Sequence, residues 1–227
     1  GFKDAASIAN ELQDSEFAKR CTALHDAHRD ALYASLDLSM KLHDIKYLPG
    51  CAELGDFDAT STAIAVFPCE QLQRLPSEAL AFTFDRYFDF FQKRASGQVE
   101  WNDYTPYEIR IVDAYVRMGQ PKRARALLDF FLKDQRPNAW RQWAEVVWRD
   151  QKAPRFRGDM PHTWVGSALI NSVRSMFVYE RDGQLVLLAG VDQKWLAEDS
   201  GVAFEGFPTY FGTLSAQASM SGNTMTV

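Results

Sequence analysis

The sequence predicts a mainly α-helical chain of stacked hairpins, with inner and outer helices alternating, followed by a small β-rich appendage. Three observations carry this. Apolar residues recur at helical spacing through most of the chain. Helices apolar on two faces alternate with helices that carry one apolar stripe. After Gly183 the period shortens to short β-rich runs set off by Gly and Asp. The boundary is placed at 1–182 for the helical part and 183–227 for the appendage.

In order, "KDAASIANELQ" (3–13) reads as a short helix. Asp14-Ser15 is a capping signal for a long second helix carrying Phe17, Cys21, Leu24, Ala31, Leu38 and Leu42 on one stripe and stopping near Pro49-Gly50. Residues 57–67 form a short helix closed by Pro68. Pro76-Ser77 starts a helix with Leu80, Phe84, Tyr87, Phe88 and Phe91 on one face, ending at "ASG". Thr105-Pro106 opens the next helix, with Pro in a first-turn position. Two apolar stripes, Tyr107/Ile111/Ala114/Tyr115 and Ile109/Val112/Val116, mark it as buried on two faces. After Gly119-Gln120-Pro121 comes a one-stripe helix through Ala124, Leu127, Leu128, Phe131 and Leu132. Residues 163–180 read as another broadly apolar helix. Beyond it "QLVLLAG", "GVAFEGF", "TLSAQASM" and "SGNTMTV" read as strands, with a small helix at "DQKWLAE". Hairpins recurring every ~45 residues have a length typical of helical repeats.

Composition bounds the function. The 227 residues suffice for one sizeable core, and 46% hydrophobic with 24% charged residues is ordinary for a globular protein. A net charge of −5 gives no footprint for nucleic acid and no attraction to anionic lipid. No apolar run approaches the ~18 residues of a membrane span. Cys51 and Cys69 bracket one loop, and a bridge between them would belong in an oxidising compartment. Free core thiols are the preferred reading for so few cysteines. His25, His28, His43 and His162 lack partners at zinc-ligand spacing, so no metal and no cofactor is expected.

The informative feature is a set of polar segments at the mouths of the inner helices: "GDFDATSTA" (55–63), "WNDYTPYE" (101–108) and "GDMPHTWV" (158–165), with "AWRQWAEVVWRD" (139–150) just before the last. Parallel inner helices would bring these into one funnel. It would hold Asp56, Asp58, Asp103, Glu108, Glu145 and Asp159 beside Trp101, Tyr104, Tyr107, Trp140, Trp143, His162 and Trp164. Flat aromatics stack on sugar C–H faces, carboxylates pair with hydroxyls, and two carboxylates flanking a glycosidic bond perform acid–base hydrolysis. Glu108, Glu145 and Asp159 are the candidate acids and bases. Plainer roles stand beside these. Asp56, Asp58 and Asp159 suit helix caps, Glu108 suits a first turn, His162 a structural histidine, and the tryptophans a core.

The runs "LPGCAELGDFDATSTAIA", "TFDRYFDFFQKR", "YTPYEIRIVDAYVRMG", "WRQWAEVVWRD" and "GDMPHTWVGSALINSVRSMFVYE" resemble the six-hairpin glycosidase-like (α/α)6 toroids of bacterial glycosyl-hydrolase-like proteins. The resemblance covers nearly all of the helical part. It implies a toroid whose inner helices present a carbohydrate site at their N-terminal ends, with inversion if the site is catalytic. A full toroid has about twelve helices and this sequence roughly seven. The expectation is therefore the C-terminal half, completed by further chain or a second copy. The other reading is a tetratricopeptide-like interaction module, for which "GQPKRARALLDFFLKDQRP" is suited. A glycan site would concentrate tryptophans with acids at one end of the helices, whereas a peptide groove would spread them along a helix face.

Overall fold

A computed structural model describes residues 1–150, 152–153, 158–198 and 200–227. The chain is mainly α with antiparallel strands toward its C-terminal end, and it divides into two compact units.

The first unit comprises residues 1–58 and 74–85. Helix α1 (Phe2–Glu11) packs on α2 (Ser15–Leu42). Asp14 caps α2 by accepting from the Phe17 amide at 3.0 Å, which satisfies one of the amides left open by helix geometry. The expected stripe of α2 is largely not the buried one. Cys21 is buried, with Ala18 and Ser39, but Phe17, Leu24, Ala31, Leu38 and Leu42 are exposed. The buried residues of the α1–α2 pair are small (Ala6 and Ala9 on α1, Ala18 on α2), so burial there follows close approach and not side-chain size. The helix also stops at Leu42, earlier than expected, and the loop after it is held by side chains. Ser39 donates to the Ala52 carbonyl at 2.8 Å and Tyr47 to that of Gly55 at 2.9 Å. Gly55 sits at φ +60°, and a Cβ there would lie 2.4 Å from the His43 ring. The Thr83 hydroxyl accepts from the Leu48 amide at 2.9 Å.

The second unit comprises residues 59–73 and 86–227. Its centre is α5 (Arg110–Arg117), which touches α3 (Ala59–Val66), α6 (Pro121–Lys133) and α7 (Thr163–Phe177). Ile111, Val112, Ala114, Tyr115 and Val116 are all 0–1% exposed, so α5 is buried all round, as its two stripes require. A 3-10 turn, Pro106–Ile109, leads into it, and Ser172 of α7 donates to the Ile109 carbonyl at 3.0 Å inside the core. Helix α6 buries the single stripe Ala124, Leu127, Leu128 and Phe131. Helix α4 (Ser77–Ala95) contributes Tyr87 and Phe91 from its second-unit residues.

"AWRQWAEVVWRD" forms a 3-10 turn, Asn138–Trp140, and strand β2 (Val147–Trp148), which pairs antiparallel with β1 (Asp103–Tyr104). One expectation changes here, the end of the helix expected over 163–180. Helix α7 ends at Phe177, because Val178–Arg181 (β3) pairs with Gln184–Leu187 (β4). The run "VYERDGQLVL" is a hairpin with Asp182 and Gly183 at positive φ in its turn. A short α8 (Gln193–Leu196) precedes the three-stranded sheet β5 (Val202–Thr209), β6 (Gly212–Ser221) and β7 (Thr224–Thr226).

Candidate functional site

The N-terminal end of α7 carries the site. Its N-cap is His162, preceded by Pro161, so Asp159 lies outside the helix and is not its cap. The segment around Glu145 is clamped to this approach by three backbone hydrogen bonds: Glu145 N to Asp159 O at 3.0 Å, Gly158 N to Val146 O at 2.9 Å, and His162 N to Trp143 O at 3.0 Å. Thr105 adds a fourth tie, donating to the Glu145 carbonyl at 2.7 Å. Gly158 makes the approach close: a Cβ there would lie 3.2 Å from the Glu145 Cβ. The result is that one donor atom each from Glu145, Asp159 and His162 lies within 4.8 Å of the other two.

Aromatic rings frame this cluster. Tyr107 Oη is 3.3 Å from His162 Nε2, and the Tyr107 ring meets those of His162 and Trp164 edge-on at 5.1 and 6.0 Å. Burial and the nearby Glu145 charge push the Tyr107 hydroxyl above its ordinary range, against the pull of Arg110. Arg110 lies over the Tyr107 ring at 4.7 Å. Trp164 is 69% exposed, so its indole is available to a ligand.

Trp164 and Arg110 also line a cavity of about 390 Å³ between α3, α5 and α7. Phe67 and Pro68 give it apolar wall, and Asn171 and Asp113 give it polar groups. In the sequence Asp113 reads as one more charge on an apolar helix. It is 3% exposed. Arg117 Nε donates to its Oδ1 at 2.8 Å, while its Oδ2 has no hydrogen-bond partner. Arg117 is in turn sandwiched between the Phe67 and Tyr179 rings, at 4.2 and 4.5 Å. Burial raises the Asp113 carboxyl above the usual carboxylate range, and Arg117 offsets only part of this. An apolar cavity with a few convergent polar groups and a perturbed carboxyl has the character of a ligand site.

The expected funnel is thus brought together only in part. Tyr107, Glu145, Asp159, His162 and Trp164 form one cluster. Glu108 does not join it. Its carboxylate is buried and takes a bidentate pair of bonds from Arg94, at 2.8 and 2.6 Å, plus one from the Tyr87 hydroxyl at 2.6 Å. Every oxygen is committed to the core, so the acid–base candidacy of Glu108 fails on access. Tyr104 is buried and donates to Asp134 at 2.6 Å, while Trp101 packs on Tyr104 and on Arg136. Trp143 is 6% exposed, with its indole N–H donating to the Phe131 carbonyl, and is a core residue. Trp140 is 56% exposed on its 3-10 turn. Asp56 and Asp58 belong to the first unit, where the Asp56 carboxylate closes a loop by accepting from the Cys51 amide at 2.8 Å. Cys21, Cys51 and Cys69 are free thiols, but only Cys21 is in a core.

The Glu145–Asp159–His162 cluster leaves no zinc-ligand spacing in the sequence, because its donors come from two segments joined by backbone pairing rather than from one turn of helix. Comparison with protein-family models, with curated proteins and with solved structures finds no match to this chain.

Proposed function

We propose that the second unit binds a carbohydrate at the mouth of α7. The observation that carries the reading is Trp164, an exposed indole that shares its cavity with Asn171 and Arg110 and neighbours His162, which in turn meets two carboxylates. Stacking on the indole would hold the apolar face of a pyranose, and Glu145, Asp159 and Asn171 would read its hydroxyls. A peptide-binding hairpin repeat would set its aromatics along a helix face. Here the exposed tryptophan of α7 stands with the acids at the helix end, which favours the glycan reading over the interaction module.

The same proposal includes the toroid of inner and outer helices, completed by further chain or a second copy. The contrast between α5, buried on all sides, and α6, buried on one stripe, supports it. For hydrolysis with inversion the carboxyl groups must stand ~6.5–9.5 Å apart to admit water. Glu145 and Asp159 approach within 4.8 Å and are assigned to recognition, not to an inverting pair.

The test is calorimetric titration of the chain with a panel of neutral and acidic oligosaccharides, alongside Trp164→Ala and Glu145→Gln. The expected result is saturable binding to at least one glycan, weakened about tenfold or more by either substitution, with the melting temperature nearly unchanged. Absence of saturable binding across the panel would refute the reading.

A further inference from the structure

We propose that Glu145, Asp159 and His162 form a site for a divalent transition-metal ion of the zinc or manganese class, a role that neither the sequence spacing nor the carbohydrate reading supplies. The cluster has the properties such a site needs. Two carboxylates and one imidazole offer three protein donors, the number that open catalytic metal sites use, with positions left for water or ligand. The three donor atoms already lie within 4.8 Å of one another. Donors around a tetrahedral zinc at ~2.0–2.2 Å sit about 3.3 Å apart, so metal binding asks for movements of at most about 1.5 Å. Asp159 is exposed and can supply most of that by rotation about its side-chain bonds.

Two further observations suit the cluster to an ion. The imidazole is only half satisfied: Nε2 faces the Tyr107 hydroxyl, while the buried Nδ1 has no hydrogen-bond partner, so the ring is not committed at both nitrogens. A buried ring nitrogen without a partner is costly unless something binds it. The two segments that carry the donors are also held together by the backbone itself, through the paired amides of Glu145, Gly158 and His162. Neither carboxylate has a cationic side chain bonded to it among the described residues. Two carboxylates brought this near each other favour a divalent ion between them.

The donor set also selects the metal. Imidazole suits zinc, iron and nickel, and carboxylates suit manganese as well. Calcium takes six to eight oxygens, and magnesium prefers an all-oxygen octahedron, so both fit this donor set poorly.

The experiment uses the whole chain, stripped with EDTA and then dialysed free of it. Zn²⁺ and Mn²⁺ are titrated separately by calorimetry without any sugar, and Co²⁺ is added as a visible-absorption probe of coordination. The expected result is one ion per chain at this site. Affinity should fall at least tenfold in each of Glu145→Gln, Asp159→Asn and His162→Gln, and Ca²⁺ and Mg²⁺ should bind at least tenfold more weakly than Zn²⁺. Circular dichroism melts of the three variants establish that they are folded, and a site on a variant that does not fold is tested by the other two. Absence of saturable binding, or binding indifferent to all three substitutions, overturns the proposal. The glycan panel is run with EDTA present, so failure of the carbohydrate reading and failure of the metal site are separate results.

Discussion

At the scale of single residues, burial separates side chains that look alike in the sequence. Trp143 and Trp164 both stand in polar segments, yet one is 6% and the other 69% exposed. Trp143→Ala should cost about 3–5 kcal/mol of stability and Trp164→Ala well under half of that, measured by urea denaturation. Glu108 and Glu145 diverge in the same way. Glu108→Gln leaves the Arg94 guanidinium buried without its full counter-charge, and breaking such a pair costs about 3–5 kcal/mol. Glu145→Gln should leave the midpoint within about 0.5 kcal/mol of the parent. Both outcomes are read from the same denaturation series, and equal losses would contradict the assignment. The sequence made Tyr107, Glu145, Asp159, His162 and Trp164 legible as candidates because polar and aromatic residues crowd before an apolar helix. It could not distinguish Glu108 from them. The partners that claim Glu108, Arg94 and Tyr87, come from a different helix, and pairing across helices leaves no local pattern.

At the scale of elements, helix starts were read more securely than helix faces. Asp14-Ser15 was legible as the start of α2 because a capping carboxylate has a short-range cause. Asp14→Ala should lower stability by about 0.5–2 kcal/mol, seen as an earlier loss of helical circular dichroism on heating. The face of α2 was not legible, since a stripe of Leu and Phe predicts burial only where a neighbour covers it. Within α5, Asp113 yields a pH-dependent expectation. Burial, opposed in part by Arg117, holds its carboxyl above the ordinary 3.8. The native state therefore takes up this proton more readily than the unfolded chain does. Its contribution to stability is complete below that ordinary value and is lost as pH rises through the raised one. The stability of the parent relative to Asp113→Asn should accordingly decline with rising pH through the acidic range, as followed by urea midpoints. A difference that grew with pH would contradict the burial argument.

At the scale of the whole chain, the division into a helical majority and later strands was legible from the change of hydrophobic period after Gly183. The short pairing of Asp103–Tyr104 with Val147–Trp148 was not, because two-residue strands have no period to read. Within the second unit, the end of α7 is tied to the strands by one ion pair. Arg174 donates to both Glu180 oxygens, at 3.2 and 3.0 Å, and to the Pro208 carbonyl at 2.7 Å. Burial alone would raise the Glu180 carboxyl, but the Arg174 bonds and charge outweigh it and hold the group below its ordinary 4.5. That stabilisation is present above the ordinary value and is lost as pH falls through the depressed one. Amides of β3 and β5 should exchange faster in Glu180→Gln than in the parent at neutral pH, with the gap closing in acid.

The central claim is that the mouth of α7 is a carbohydrate site centred on Trp164. It is tested most directly by the indole N–H resonances of the six tryptophans during an oligosaccharide titration by nuclear magnetic resonance. The account predicts that the Trp164 signal, assigned by Trp164→Phe, shifts saturably while the Trp143 signal stays in place. Shifts confined to Trp140, or no indole shift with any glycan of the panel, would contradict it.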